Sequence, residues 1–410
     1  MKRAIAVNTK RALQFALASG LAVAMAIPAL AQQTRVYREG SAWVEETTGQ
    51  LSVRQTLLVK LDAGNVNVAG GAEPSVSYVM KKIVRASSED DARKQFERYR
   101  FTASVTGDAV VLRNEATGVW HGPRWRGPNA DLTVQVPRTT GLVRLQSDSG
   151  NETVSGIAGR VEAKTGGGNI NLDDIGGAVT ASSEGGNVTI GNLNSDLVLK
   201  TGGGNIRIDS VKGRIVTTSG GGNIQIGSGD QAMTVETGGG YIEVKKCGGE
   251  LKAQTGGGNL DLGQVLGRAD LQSGGGSIRL ASATGPVVAS TGGGRVELLN
   301  LAQGAKAETG GGGITAEFLG SKGFTGGHLE TPAGDIVVYL DSGLKATIKA
   351  EVDVASSRAI HSDFPEIKVT SEGGQFGPKV YYAEGNLNGG GPLLRIQTTT
   401  GSIDIRRARK

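Results

Sequence analysis

Through the middle of the chain, apolar and polar residues alternate over short runs, and the runs return at a fixed interval. Position 1 is set at the Thr or Ser before each glycine-rich stretch. It falls at Ser147, Thr165, Ser183, Thr201, Ser219, Thr237, Thr255, Ser273, Thr291 and Thr309, a spacing of 18 residues without insertion. Position 6 is apolar from Ile170 to Ile314, the first repeat departing with Glu152, and position 8 is apolar from Val154 to Ala316. Positions 15 and 17 behave likewise, beginning with Val161 and Ala163, and position 11 adds Ile157, Ile175, Leu193, Val211, Cys247 and Val265. Alternation with period two marks strands with one buried face. Each repeat therefore holds two short strands and two turns. Such a pair is marginal alone and becomes stable when stacked on its equivalents. The pattern predicts an all-β fold: a parallel β-solenoid of ten regular rungs, on the order of 45–50 Å long at about 4.8 Å per rung. The crossover rule favours right-handed coiling.

The stretch TGGGNIRID, beginning at Thr201, typifies the corner between strands. Glycine reaches positive φ without steric cost and lets backbones approach closely, so Gly203 is read as a turn residue that a side chain would strain. Asn169, Asn205, Asn223 and Asn259 follow the triplets and are read as a ladder of stacked amides. A phosphate cradle needs one loop feeding a helix, whereas this loop recurs and feeds a strand each time. Calcium-binding β-rolls place carboxylates where this chain has asparagine. Between Ser147 and Glu317 the only aromatic residue is Tyr241, which suits a slot too thin for rings. Cys247, in an apolar column, reads as a small buried hydrophobe.

Outside the regular repeats, LVKLDAGNVNV (Leu58 to Val68) has the look of an outlying rung. SSEDDARKQFERYRF reads as a helix capped by Ser88, with Ala92, Phe96 and Tyr99 on one face. It belongs to an N-terminal cap, since solenoid ends need covering. TPAGDIVVYL at Thr331 and TTTGSIDI at Thr398 are degenerate returns of the rung. The expected organisation is a leader over 1–31, a β-rich cap with one helix over 32–146, the regular solenoid over 147–325, and degenerate rungs with a second cap over 326–410. These turns, the LVKLDAGNVNV opening, the Ser-Glu-Asp helix, SDFPEI at Ser362 and the ending NGGGPLLRIQTTTGSIDI make most of residues 51–405 resemble the bacterial putative-adhesin family of β-solenoid domains. The resemblance implies the fold and an adhesin-like role. It brings no catalytic motif.

Composition changes the picture in three ways. Lys2, Arg3, Lys10 and Arg11 precede an apolar run to Ile27 and an Ala29-Leu30-Ala31 site, the pattern of a secretory signal peptide. Removing those four basic residues brings the net charge from +5 to about +1, so the basic pI gives no reason to expect nucleic acid. No later segment is apolar for long enough to span a bilayer as a helix. A single cysteine means no internal disulfide. The expected location is outside the cytoplasm: periplasm, outer surface or extracellular space.

Candidate chemistry is sparse. His121, His328 and His361 are scattered along the flanks with no metal-ligand spacing, no nucleophile elbow appears, and neither a metal nor a cofactor is expected. The outward column at position 7 reads Arg207, Gln225, Glu243, Asp261, Arg279, Glu297. Glu243 beside Asp261 is the one candidate acid pair for a carbohydrate-active enzyme, and an ion ladder is the alternative. Trp120, His121, Arg124, Trp125 and Arg126 concentrate in one Gly- and Pro-rich stretch, GVWHGPRWRGP. These residue types dominate recognition hot spots, and indole faces stack on sugars. The alternative is that the rings fold back and seal the end of the rod. Three functions follow: an exported, non-enzymatic surface that binds a cell-surface glycan or envelope protein, a carbohydrate-active enzyme, or a purely structural envelope assembly protein.

Overall fold

The computed structural model describes residues 32–117, 129–320, 323–355, 359–373, 377 and 379–408. Two parallel sheets of eighteen strands each face one another across a single hydrophobic core that runs from Leu57 to Ile405. Each regular rung gives one strand to each sheet. Ile206–Val211 lies in the first and Ile215–Ser219 in the second. Register confirms the stacking: Ile170 pairs with Val188, Val188 with Ile206, and Val161 with Val179, each 18 residues on. The apolar columns are buried throughout, Cys247 among them. The fold is the parallel β-solenoid that the periodicity predicts.

Two rungs precede the regular ten. Thr56–Leu61 and Asn65–Gly71 stack directly on the rung that contains Ser147. Beyond them, Ala109–Ala116 and Asn129–Pro137 form the next rung out. Two more rungs follow the regular ten, with corners at Thr331 and Thr398, so fourteen corners stack in one line. The 18-residue register slips once. Glu308 pairs with Glu330, and Ile314 with Ile336, each 22 residues on. At the far end the antiparallel strands Ala346–Ala355, Lys379–Leu387 and Lys368–Glu372 extend the second sheet.

The helix spans Glu89–Phe96, with the Ser88 hydroxyl accepting from the Asp91 N–H at 3.2 Å. Ala92 and Phe96 are buried beneath it. Tyr99 does not share that face. It opens the strand Tyr99–Thr106, where the sequence turns to the alternation Tyr99, Phe101, Ala103, Val105.

The corners work differently from the sequence expectation. Thr201 is buried, and its hydroxyl donates to the Gly186 carbonyl at 2.8 Å while accepting from the Gly204 N–H at 3.3 Å. The same pair of bonds recurs at Thr165, Ser183, Ser219, Thr255, Ser273, Thr291 and Thr309. A Cβ on Gly202 or Gly204 would run into the carbonyl of Glu184 or Gly186 on the preceding rung. Gly203 has neither positive φ nor any atom within 4 Å of where its Cβ would stand. The strain expected there is absent, because close approach falls on the outer two glycines and the middle one faces open space. The asparagines are not stacked amide to amide along the rod. Each side-chain oxygen accepts the backbone N–H of the equivalent residue one rung on, as Asn187 does from Asn205, Asn205 from Asn223 and Asn223 from Tyr241, at 2.8–3.0 Å. Asn169 and Asn259 serve Asn187 and Ser277 in the same way.

Candidate functional site

The tryptophan segment, with Trp120, His121, Arg124, Trp125 and Arg126, lies outside the described residues, but its two ends are fixed. Asn114 and Leu132 occupy the same columns as Leu61 and Val66. Seventeen residues separate the first pair, where four separate the second. The segment is thus an enlarged corner in the outermost rung, at the place where the other rungs have their glycine turns. Thr117, just before it, donates its N–H to the Arg98 carbonyl at 2.7 Å and its hydroxyl to the Glu97 carbonyl at 3.1 Å. Glu97 also borders a cleft of about 520 Å³ at this end of the rod, between the helix and the overhanging strands of the first sheet. Lys82 is buried against it, with Nζ 2.7 Å from both Glu45 Oε1 and the Tyr99 carbonyl.

The position-7 column stands on one face in register, from Arg207 to Glu297. Its charges are mostly spoken for. Glu243 accepts from Gln225 at 3.0 Å, Arg279 lies 3.9 Å from Glu297, and Arg207 pairs with Asp209 on its own strand at 3.2 Å. Asp261 is exposed and forms no ion pair within 4.0 Å among the described residues. The groove beside this column measures about 150 Å³ and is framed by Arg207, Asp209, Gln225, Glu243 and Lys245 around the bare Gly227. Small-molecule sites typically span roughly 300–1,000 Å³. The geometry is that of a ladder of charges over a shallow notch.

Sequence spacing does not reveal a third cluster. His328 Nε2 lies 2.8 Å from Glu330 Oε2, and Glu308 stands beside Glu330 on the neighbouring strand. One donor atom from each of the three lies within 4.8 Å of the others. Under a strict 18-residue repeat Glu308 would meet Gly326, and the four-residue slip brings Glu330 there instead. His121 lies outside the described residues, and His361 stands apart, 3.3 Å from Asp363.

Two buried acids and thiols complete the inventory. Glu152, where its column otherwise carries Val or Ile, is fully buried. Burial pushes its carboxyl up to about 7, although the Ser147 hydroxyl donates to it at 3.0 Å. Burial also pushes the Cys247 thiol up, and its sulfur faces backbone carbonyls at 3.4–3.7 Å. No helix among the described residues is long and apolar enough to cross a membrane.

No family model matches the chain, and no curated protein matches it. Among solved structures it is similar to a putative cell adhesion protein from Clostridium sporogenes, at 11% identity over 89% of this chain and 100% of that one, with a TM-score of 0.21. It is similar to a putative adhesin from Bacteroides fragilis at 10% identity, over 88% of this chain and 97% of that one, with a TM-score of 0.24. A third is a putative lipid binding protein from Parabacteroides distasonis, at 8% identity over 88% and 96% of the two chains, with a TM-score of 0.21. The first two carry the adhesion name that the sequence resemblance also gives.

Proposed function

We propose that the chain is an exported, non-enzymatic β-solenoid that acts as an adhesin-like binding surface at the bacterial cell envelope. The rod is the support, and the enlarged corner of its outermost rung is the contact point for a cell-surface glycan or envelope protein. One observation carries this reading. At the outermost rung, between Asn114 and Leu132, the corner grows to seventeen residues and gathers Trp120, His121, Arg124, Trp125 and Arg126. Stacking fourteen corners at about 4.8 Å makes a stiff spacer of roughly 60 Å, suited to holding a contact loop away from an anchoring surface. Tryptophan faces suit sugar rings, and arginine suits acidic groups. Export rests on the leader pattern of residues 1–31, which lie outside the described residues. Against an enzyme stands the shallow, charge-paired position-7 face.

A glycan-array screen of the mature chain, followed by a hydrolysis assay on every hit, tests this reading. Binding without turnover is the expected result. Turnover that is lost in Glu243→Gln or Asp261→Asn would replace it with a carbohydrate-active enzyme. Silence on glycans and on envelope preparations would leave a purely structural role.

A further inference from the structure

The Glu308, His328 and Glu330 cluster belongs neither to the proposed contact loop nor to the position-7 face. Its three donors are placed by the sheet itself. His328 and Glu330 are two residues apart on Gly327–Ala333 and so project from the same face, and Glu308 sits in register with Glu330 on Ala305–Thr309. Backbone pairing on both sides fixes these stems, because Leu394 to Thr398 flank the other edge of the strand. His328 already points Nε2 at Glu330 Oε2, 2.8 Å away. Tetrahedral coordination at about 2.0–2.2 Å needs donor separations of roughly 3.3–3.6 Å. The present spread of 4.8 Å therefore closes with side-chain movements of about an ångström, which the half-exposed carboxylate arms allow.

We propose that these residues form a surface site for a borderline divalent cation of the Zn²⁺ class. The imidazole and two carboxylates supply three ligands, and the fourth position is open to solvent. The electrostatics select the class of cation. Lys306 and Arg395 flank His328 in register on the two neighbouring strands, and Lys306 Nζ lies 2.7 Å from Glu308 Oε1. The cluster is thus charge-balanced and not strongly anionic. A hard cation such as Ca²⁺ or Mg²⁺, which wants several anionic oxygens, gains little here. A borderline cation gains from the imidazole nitrogen and releases Lys306 from Glu308 as it binds. The ammonium group is then a competitor for the site, and its removal should tighten binding.

Isothermal titration of ZnCl₂ into the tag-free mature chain at pH 7.5 tests the site, with MgCl₂ as the comparison. One Zn²⁺ should bind per chain, with little response to Mg²⁺. His328→Ala should weaken Zn²⁺ binding at least tenfold, and Lys306→Met should strengthen it several-fold. Both variants should keep the metal-free melting temperature. Zn²⁺ affinity should also fall as pH drops below about 6, where the imidazole takes a proton. Absence of binding in both the parent and Lys306→Met would overturn the site. So would binding indifferent to His328→Ala, or weakened by Lys306→Met. None of these outcomes bears on the glycan-binding reading, which concerns the opposite end of the rod.

Discussion

The glycine triplet is one motif with two kinds of residue in it. Gly204 lies against the backbone of the preceding rung, where a Cβ would collide with the carbonyl of Gly186. Gly204→Ala should therefore cost about 2–4 kcal/mol, seen as a clear fall in melting temperature. Gly203 meets nothing, so Gly203→Ala should stay within about 0.5 kcal/mol of the parent or rise slightly, by reducing the freedom of the unfolded chain. Equal destabilisation by the two changes would contradict the close-approach account. Thr217 Oγ1 is buried without a hydrogen-bond partner, whereas most equivalent positions carry Ala, Leu or Val. Thr217→Val should raise stability by about 1 kcal/mol, and a loss of that size would mean that the hydroxyl has a partner. The sequence alone could separate none of these cases, because glycine letters do not say which of them faces a neighbour.

At the scale of the rung, the two strands and their buried columns were readable because period two and period 18 are both properties of the letter string. The role of position 1 was not. Ser and Thr served to number the repeats, yet in three dimensions their hydroxyls tie one corner to the next, as Thr201 does to Gly186 and Gly204. Thr201→Val should remove both bonds and leave a buried carbonyl and N–H unsatisfied, at a cost of roughly 2–3 kcal/mol. A melting temperature unchanged in Thr201→Val would refute this. The helix was legible from Ser88 to Phe96 through its cap and acidic first turn, and its end was overrun because Tyr99 and Phe101 fit a helical face by spacing while pairing as a strand. The His328 cluster escaped notice for a related reason. Its assembly depends on a four-residue slip that only pairing can locate.

For the whole molecule, one buried acid couples the rod to pH. Glu152 is protonated in the fold up to about 7 and ionises in the unfolded chain near its ordinary value of 4.5. Its contribution is fully present below about 4.5 and is lost as pH rises through about 7, a change on the order of 3 kcal/mol. Denaturation followed from pH 4.5 to 8.5 should show this decline, and Glu152→Gln should flatten it. An unchanged slope in the variant would place the dependence elsewhere. The larger claim is that the rod carries its contact surface at one end, in a corner whose residue types were legible in the sequence and whose place in the stack became visible only from the pairing of Asn114 and Leu132. The most direct test is the double variant Trp120→Ala, Trp125→Ala, measured for circular dichroism, melting temperature and adherence to glycans or cells. The account predicts an unaltered fold and melting temperature with adherence lost. Adherence retained alongside a melting temperature lowered by several degrees would make the corner a plug for the end of the solenoid and contradict the proposal.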